Sequence, residues 1–280
     1  MADRFLLDKS ARPERAFTHE EKTTMFKKLL AMAGIGAARV DARLQDNTVM
    51  PGGMLQGEVH IRGGDVAQEV DSVYRYLVTE YKREVNDMNI TEQFVLAQQR
   101  LTERFTVEPG SDRAFPFTLR VPYETPLTMG YQKVYVKTGL SIASAADPED
   151  KDSIQVQPHP LMLGVFGALE QLGFHLYQAQ TEYAPRFGRQ IPFAQEFEFH
   201  PGSRYRDILE ELEVIFSLRE GELEVLMELD RRKRGLVGFL ESAYEMNERY
   251  TRFQVTSADL ERNDLPNRID GVIRGRLQIS

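Results

Sequence analysis

Two segments alternate apolar and acidic side chains so regularly that they set the reading of the rest. Leu212, Val214, Phe216 and Leu218 share one face with Glu211 and Glu213 opposite; Leu223, Val225, Met227 and Leu229 repeat the pattern against Glu222, Glu224 and Glu228. Period-two alternation is that of a half-buried strand, and Arg219-Glu220-Gly221 between the two runs predicts a hairpin whose carboxylates form the wet face. The same period recurs in the first half of the chain. Val40, Ala42 and Leu44 alternate, then Leu55, Gly57, Val59 and Ile61 after the Met50-Pro51-Gly52-Gly53 turn, and Gly63-Gly64 turns the chain again. A longer strand over Val73–Tyr81 ends at a polar turn over Glu84–Asn89. Phe105 and Val107 lead to Pro109-Gly110, and Phe115, Phe117, Leu119 and Val121 form another clean face. Val134, Val136, Thr138, Leu140 and Ile142 make one more. Short strands separated by Pro/Gly turns point to an antiparallel sandwich.

Helical spacing is scarcer. Leu161, Val165, Leu169 and Leu172 lie on one stripe, with Gly164 and Gly167 inside it. Each glycine costs about 1 kcal/mol of helix propensity relative to alanine, so close packing against a sheet is expected as compensation. Strands follow over Phe174–Tyr183 and at Phe197 and Phe199, then a short helix over Leu236–Met246 and a last strand over Arg252–Val255. The tail Thr256–Ser280 is polar until Val272, Ile273, Leu277 and Ile279, a docking strand or an unordered end. Near the N-terminus Phe26, Leu29, Leu30 and Ala33 have helical spacing, closed by Gly34 and Gly36. Docking of that helix on the fold is preferred to a membrane surface, because one or two turns bury little lipid-facing area.

The fold class predicted is therefore all-β: a flexible extension over 1–25, one sandwich over 26–145, a second over 146–257, a tail over 258–280, and one or two short helices. Between the sandwiches Asp147, Glu149, Asp150 and Asp152 crowd around Pro148 and Lys151, where a continued sheet is disfavoured. A hinge over 146–153 is expected there.

Composition narrows the chemistry. The chain of 280 residues is 41% hydrophobic and 28% charged, as in ordinary globular proteins, and a net charge of −8 argues against nucleic acid as its main partner. Without cysteine there is no disulfide, thiolate metal site or cysteine nucleophile, which fits a reducing, cytoplasmic setting. No apolar run of about 18 residues predicts a membrane span. Met1–Thr24 carries five acidic and five basic side chains where a signal peptide needs an apolar core, and Met25 is an alternative start of translation. His19, His60, His159, His175 and His200 show no metal-ligand spacing, and nucleophile elbow, phosphate loop and dinucleotide turn are all missing. No catalytic residue, cofactor or metal is assigned. Asp147-x-x-Asp150-x-Asp152 offers hard oxygens suited to Ca²⁺ but lacks the central glycine and terminal glutamate of an EF-hand, so a solvated turn is preferred. A Ca²⁺- or small-ligand-binding sandwich module is the alternative reading.

Several motifs are familiar. Pro51-Gly52-Gly53-Met54-Leu55-Gln56-Gly57-Glu58-Val59 resembles the second-strand signature of arrestin-like proteins, and Phe115-Pro116-Phe117 leading to Pro122 is similar to another arrestin pattern. Phe26-Lys27-Lys28-Leu29 before Gly34-Ile35-Gly36, the Asp147-Pro148-x-Asp150-x-Asp152 run, Ala168-Leu169-x-x-Leu172-Gly173-Phe174 and Leu229-Asp230-Arg231-Arg232-Lys233-Arg234-Gly235 narrow the resemblance to the bacterial sporulation-control protein M family. It covers about Met25 to Val255. The resemblance implies two arrestin-like sandwiches, a non-catalytic regulatory or adaptor role in the cytoplasm, and unidentified protein partners bound through the sheets and an interdomain face. It also makes Asp147, Asp150 and Asp152 candidate partners of Arg231, Arg232 and Arg234 in an interdomain polar cluster, which acts as a latch only if desolvated. Strand edges leave a homodimer by edge pairing open.

Overall fold

The computed structural model describes residues 19–142, 147–185, 190–230 and 250–278. The expected helix over Leu236–Met246 and the residues Arg231, Arg232 and Arg234 lie outside them. The all-β sandwich architecture is as expected, and the described helices number four rather than one or two.

A helix α1 (His19–Met32) precedes β1 (Arg39–Leu44), β2 (Thr48–Val49) and β3 (Met54–Arg62), followed by the long hairpin of β4 (Gln68–Val85) and β5 (Met88–Arg100). Asn86 and Asp87, at φ 51° and 61°, form its two-residue turn inside the expected polar turn. Next come β6 (Phe105–Val107), β7 (Asp112–Arg120) and β8 (Val134–Ile142). Strands β1, β3 and β7 form an antiparallel three-stranded sheet. Its inner side chains Ala42, Val59, Ile61 and Phe117 pack on Val70, Val73, Leu140 and Ile142 of β4 and β8. Gly57 permits this packing: a Cβ there would stand 2.7 Å from the Phe117 ring and 2.4 Å from the Arg43 carbonyl oxygen.

After β9 (Glu149–Ser153) and β10 (Gln155–Val156) the chain enters α2 (Pro160–Gln171), then β11 (Phe174–Tyr183), β12 (Phe193–Pro201), β13 (Glu211–Arg219), β14 (Glu222–Asp230), β15 (Tyr250–Thr256), α3 (Ser257–Arg262) and α4 (Leu265–Leu277). Pro160 opens α2, and His159 Nδ1 accepts from the Leu161 N–H at 3.3 Å. The sheet runs β15-β14-β13-β12-β11-β4-β8-β9, with β5 and β6 also on β4, ten strands in all. Strands β11 and β4 meet in parallel at Glu182 and Lys82. One face of β12–β15 packs on the helices: Phe166 of α2 lies 5.2 Å from Phe197 and 5.3 Å from Phe216, ring centre to ring centre.

Five expectations need correction. The acidic run is not a hinge: Glu149–Ser153 is β9, antiparallel to β8 with Val136 opposite Asp152 and Thr138 opposite Asp150. Charged side chains suit an edge strand, and here Lys151 Nζ sits 3.5 Å over the Tyr135 ring while Lys137 pairs with Glu149 at 2.8 Å. The boundary at 145/146 shifts with it, since β9 and β10 pair with β8 and β2 of the first half; the second half begins after Val156. The tail is neither strand nor unordered, because Leu265, Ile269 and Ile273 recur every four residues and bury one face of α4. Gly164 compensates its propensity cost against a helix rather than a sheet: a Cβ there would meet Leu260 of α3 at 2.2 Å. Finally, Phe26 and Leu29 do not dock; they are 61% and 60% exposed, and Ala31 is buried in their place.

Candidate functional site

The face of β11–β14 opposite the helices is not the wet surface that alternation predicts. Glu211, Glu213 and Glu228 are each at most 3% exposed and Glu196 is 8% exposed, alongside buried Ile215 and Leu226. Register explains why they meet. Glu198, Glu213 and Glu228 stand directly opposite one another across β12, β13 and β14, with Gln178 of β11 opposite Glu198. Like charges in such a row repel, so protons or cations must accompany them. Burial pushes the carboxyls of Glu213 and Glu196 well above the usual range. Glu213, further raised by the charge of Glu196 and as donor to it, keeps its proton and hydrogen-bonds Glu196.

At one end of the row, Glu198, His200 and Glu211 bring ligand-type atoms within 4.8 Å of one another, the one such group among the described residues. His200 Nε2 lies 2.9 Å from Glu198 Oε1, and its ring stacks on Tyr177 at 4.2 Å between centroids. Gln178 donates to the other oxygen of Glu198. Two of the three ligands are thus already engaged with each other or with an amide, and the arrangement stands without an ion.

The aspartates flagged by the sequence lie in the first half. Asp147 Oδ1 accepts from the Ile142 N–H at 2.9 Å, closing the β8–β9 turn, and Asp150 Oδ2 accepts from the Ala42 N–H at 2.7 Å, tying β9 to β1 in the facing sheet. Burial, then the charges of Asp150 and Asp41, push the Asp152 carboxyl up to about 6. These three do not form a metal-ligand group among the described residues. Their arginine partners Arg231, Arg232 and Arg234 lie outside the described residues.

Sequence reasoning missed Arg75. It is fully buried, with its guanidinium 3.4 Å over the Phe117 ring and Nη2 donating to Gln99. Gln99, Arg75, Thr138 and Asp150 occupy matching positions on β5, β4, β8 and β9, a polar row inside the first sandwich. The signal was available: an arginine between Val73 and Leu77 occupies an inward position of a period-two strand.

The family model described as SpoOM protein matches residues 26–233. The sporulation-control protein spo0M of Bacillus subtilis (strain 168) is 44% identical over 239 residues, 85% of this chain and 93% of that protein. The crystal structure of Spo0M, sporulation control protein, from Bacillus subtilis superposes with a TM-score of 0.81 at 40% identity, covering 86% of this chain and 100% of that one.

Proposed function

Because the chain belongs to the SpoOM protein family, we propose that it is a non-enzymatic regulatory adaptor of sporulation control, acting in the cytoplasm by docking other proteins on its sheet edges. The observation that carries this reading is β5. Among the described residues it pairs only with β4, so its second edge offers a run of backbone donors and acceptors from Met88 to Arg100. Met88 is 64% exposed, and Ile90 and Val95 stand beside it on the surface. An extended peptide adding to such an edge gains main-chain hydrogen bonds for affinity and side-chain contacts for specificity.

The test is crosslinking in the native host followed by mass spectrometry, comparing the wild-type chain with Ile90→Lys/Val95→Lys. Lysines on an edge strand block pairing without touching the core. The recovered partners should fall at least about tenfold, a loss of about 1.4 kcal/mol of binding. An unchanged set at unchanged abundance would exclude docking on β5.

A further inference from the structure

The apolar face of α1 is the large feature that neither the sandwich nor the adaptor reading uses. Met25, Phe26, Leu29, Met32 and Ile35 are between 49% and 61% exposed. At about 100° per residue, Met25, Phe26, Leu29 and Met32 fall within one stripe, with Lys28 at one margin and Lys27 beyond the other. Both lysines are exposed. The stripe is held in a set position. Ile35 N–H donates to the Leu30 carbonyl at 2.9 Å and Gly34 N–H to the Ala31 carbonyl at 3.0 Å, the paired bonds of a Schellman stop, with Gly34 at φ 83°. Gly36 then accepts from the Asp65 N–H at 2.8 Å, and the Ala38 N–H donates to the Gln68 side chain at 2.6 Å. Ala31 alone is buried against the body. The helix is therefore pinned at its C-terminal end with its apolar side turned to solvent.

We propose that α1 binds in the plane of an anionic lipid surface, its Met25-Phe26-Leu29-Met32 face entering the acyl boundary and Lys27 and Lys28 contacting the headgroups. An apolar stripe flanked by lysines is the arrangement that lies in the interface rather than across it, and no described helix is long and apolar enough to cross a membrane. The lysines argue against a second copy as occupant. They stand beside the centre of the stripe, so a two-fold pairing of this face would bring four ammonium groups together. Negatively charged headgroups instead match them. The net charge of −8 does not prevent this, because charges beyond about 8 Å are screened at physiological salt, which leaves the local lysines dominant at contact.

The experiment is co-sedimentation of the full chain with vesicles of phosphatidylcholine alone and of phosphatidylcholine mixed with phosphatidylglycerol. Binding should be at least about tenfold tighter to the mixed vesicles and should weaken with added salt. Lys27→Glu/Lys28→Glu should lower it by about twentyfold or more, because each lysine near the surface contributes about fivefold. Leu29→Glu should abolish it while leaving the melting temperature unchanged, since the side chain is solvent-exposed. No sedimentation with either vesicle overturns the proposal, as does binding that Leu29→Glu leaves intact. Light scattering on the same samples identifies the other occupant: self-association lost in Leu29→Glu, with no vesicle binding, assigns the stripe to a second copy and also overturns it.

Discussion

Asp152 and Arg75 face the interior of the first sandwich from neighbouring strands, and each carries a cost that its neighbours only partly offset. Arg75 Nε and Nη1 have no hydrogen-bond partner among the described residues, and burial lowers its pKa to about 10. The Phe117 face supplies part of the compensation. Asp152, raised to about 6, binds its proton more tightly in the folded chain than in the unfolded one, where an aspartate titrates near 3.9. Its contribution is thus fully present below about pH 4 and is lost as the pH rises through about 6. Asp152→Asn removes that loss and should stabilise the protein by about 1 kcal/mol at pH 7, after allowance for its partial exposure, and by nothing near pH 4. Urea unfolding at the two pH values checks this; an equal gain at both would show that titration is not the cause. Neither residue's environment could be read locally, because the pairing of β4 with β8 and of β8 with β9 creates it.

Elements were legible where one face is apolar and the period is clean. The β13–β14 hairpin, β3, β7 and β8 follow the expected alternation, and α2 buries Leu161, Val165 and Leu169 of its expected stripe. Strand β5 escaped because Ile90, Phe94 and Leu96 share a face with Glu92 and Gln98, so it carries no clean two-residue signal. Helix α4 escaped for a different reason: attention to Val272, Ile273, Leu277 and Ile279 concealed the four-residue recurrence of Leu265, Ile269 and Ile273. These three are buried beside α2. Ile269→Ala should therefore cost about 2–5 kcal/mol, the range for emptying a buried aliphatic site, measured as a fall in the denaturation midpoint at constant slope. A change under about 0.5 kcal/mol would mean that the tail does not contribute to the core.

At the scale of the whole molecule, the halves are joined by more than the chain passing between them. The main hydrophobic cluster includes Leu77, Val134 and Val136 from the first half with Phe174, Phe197 and Leu212 from the second. Gln195 of β12 reads both sides of Leu127 in the loop before β8, accepting from its N–H at 2.7 Å and donating to its carbonyl at 2.8 Å. Leu127 is 1% exposed, so Gln195→Ala leaves buried backbone groups unpaired and should cost about 1–3 kcal/mol. Hydrogen exchange checks it: the Leu127 amide should lose protection well before the amides of β3, whereas uniform loss would point to a global effect instead.

What the sequence determined by itself is the alternation of most strands, the turns that close them, and the family motifs, because each depends on residues within one or two turns of chain. Only the tertiary structure decided which charged faces meet water. The glutamates of β12–β14 look like a solvated surface in every local window, yet cross-strand register stacks Glu198, Glu213 and Glu228 and buries two of the three. The reverse holds for α1, whose apolar spacing suggests a docked helix until the fold is seen to bury Ala31 and leave Phe26 and Leu29 in solvent. Burial depends on what lies across from a residue, and period alone does not specify the facing partner.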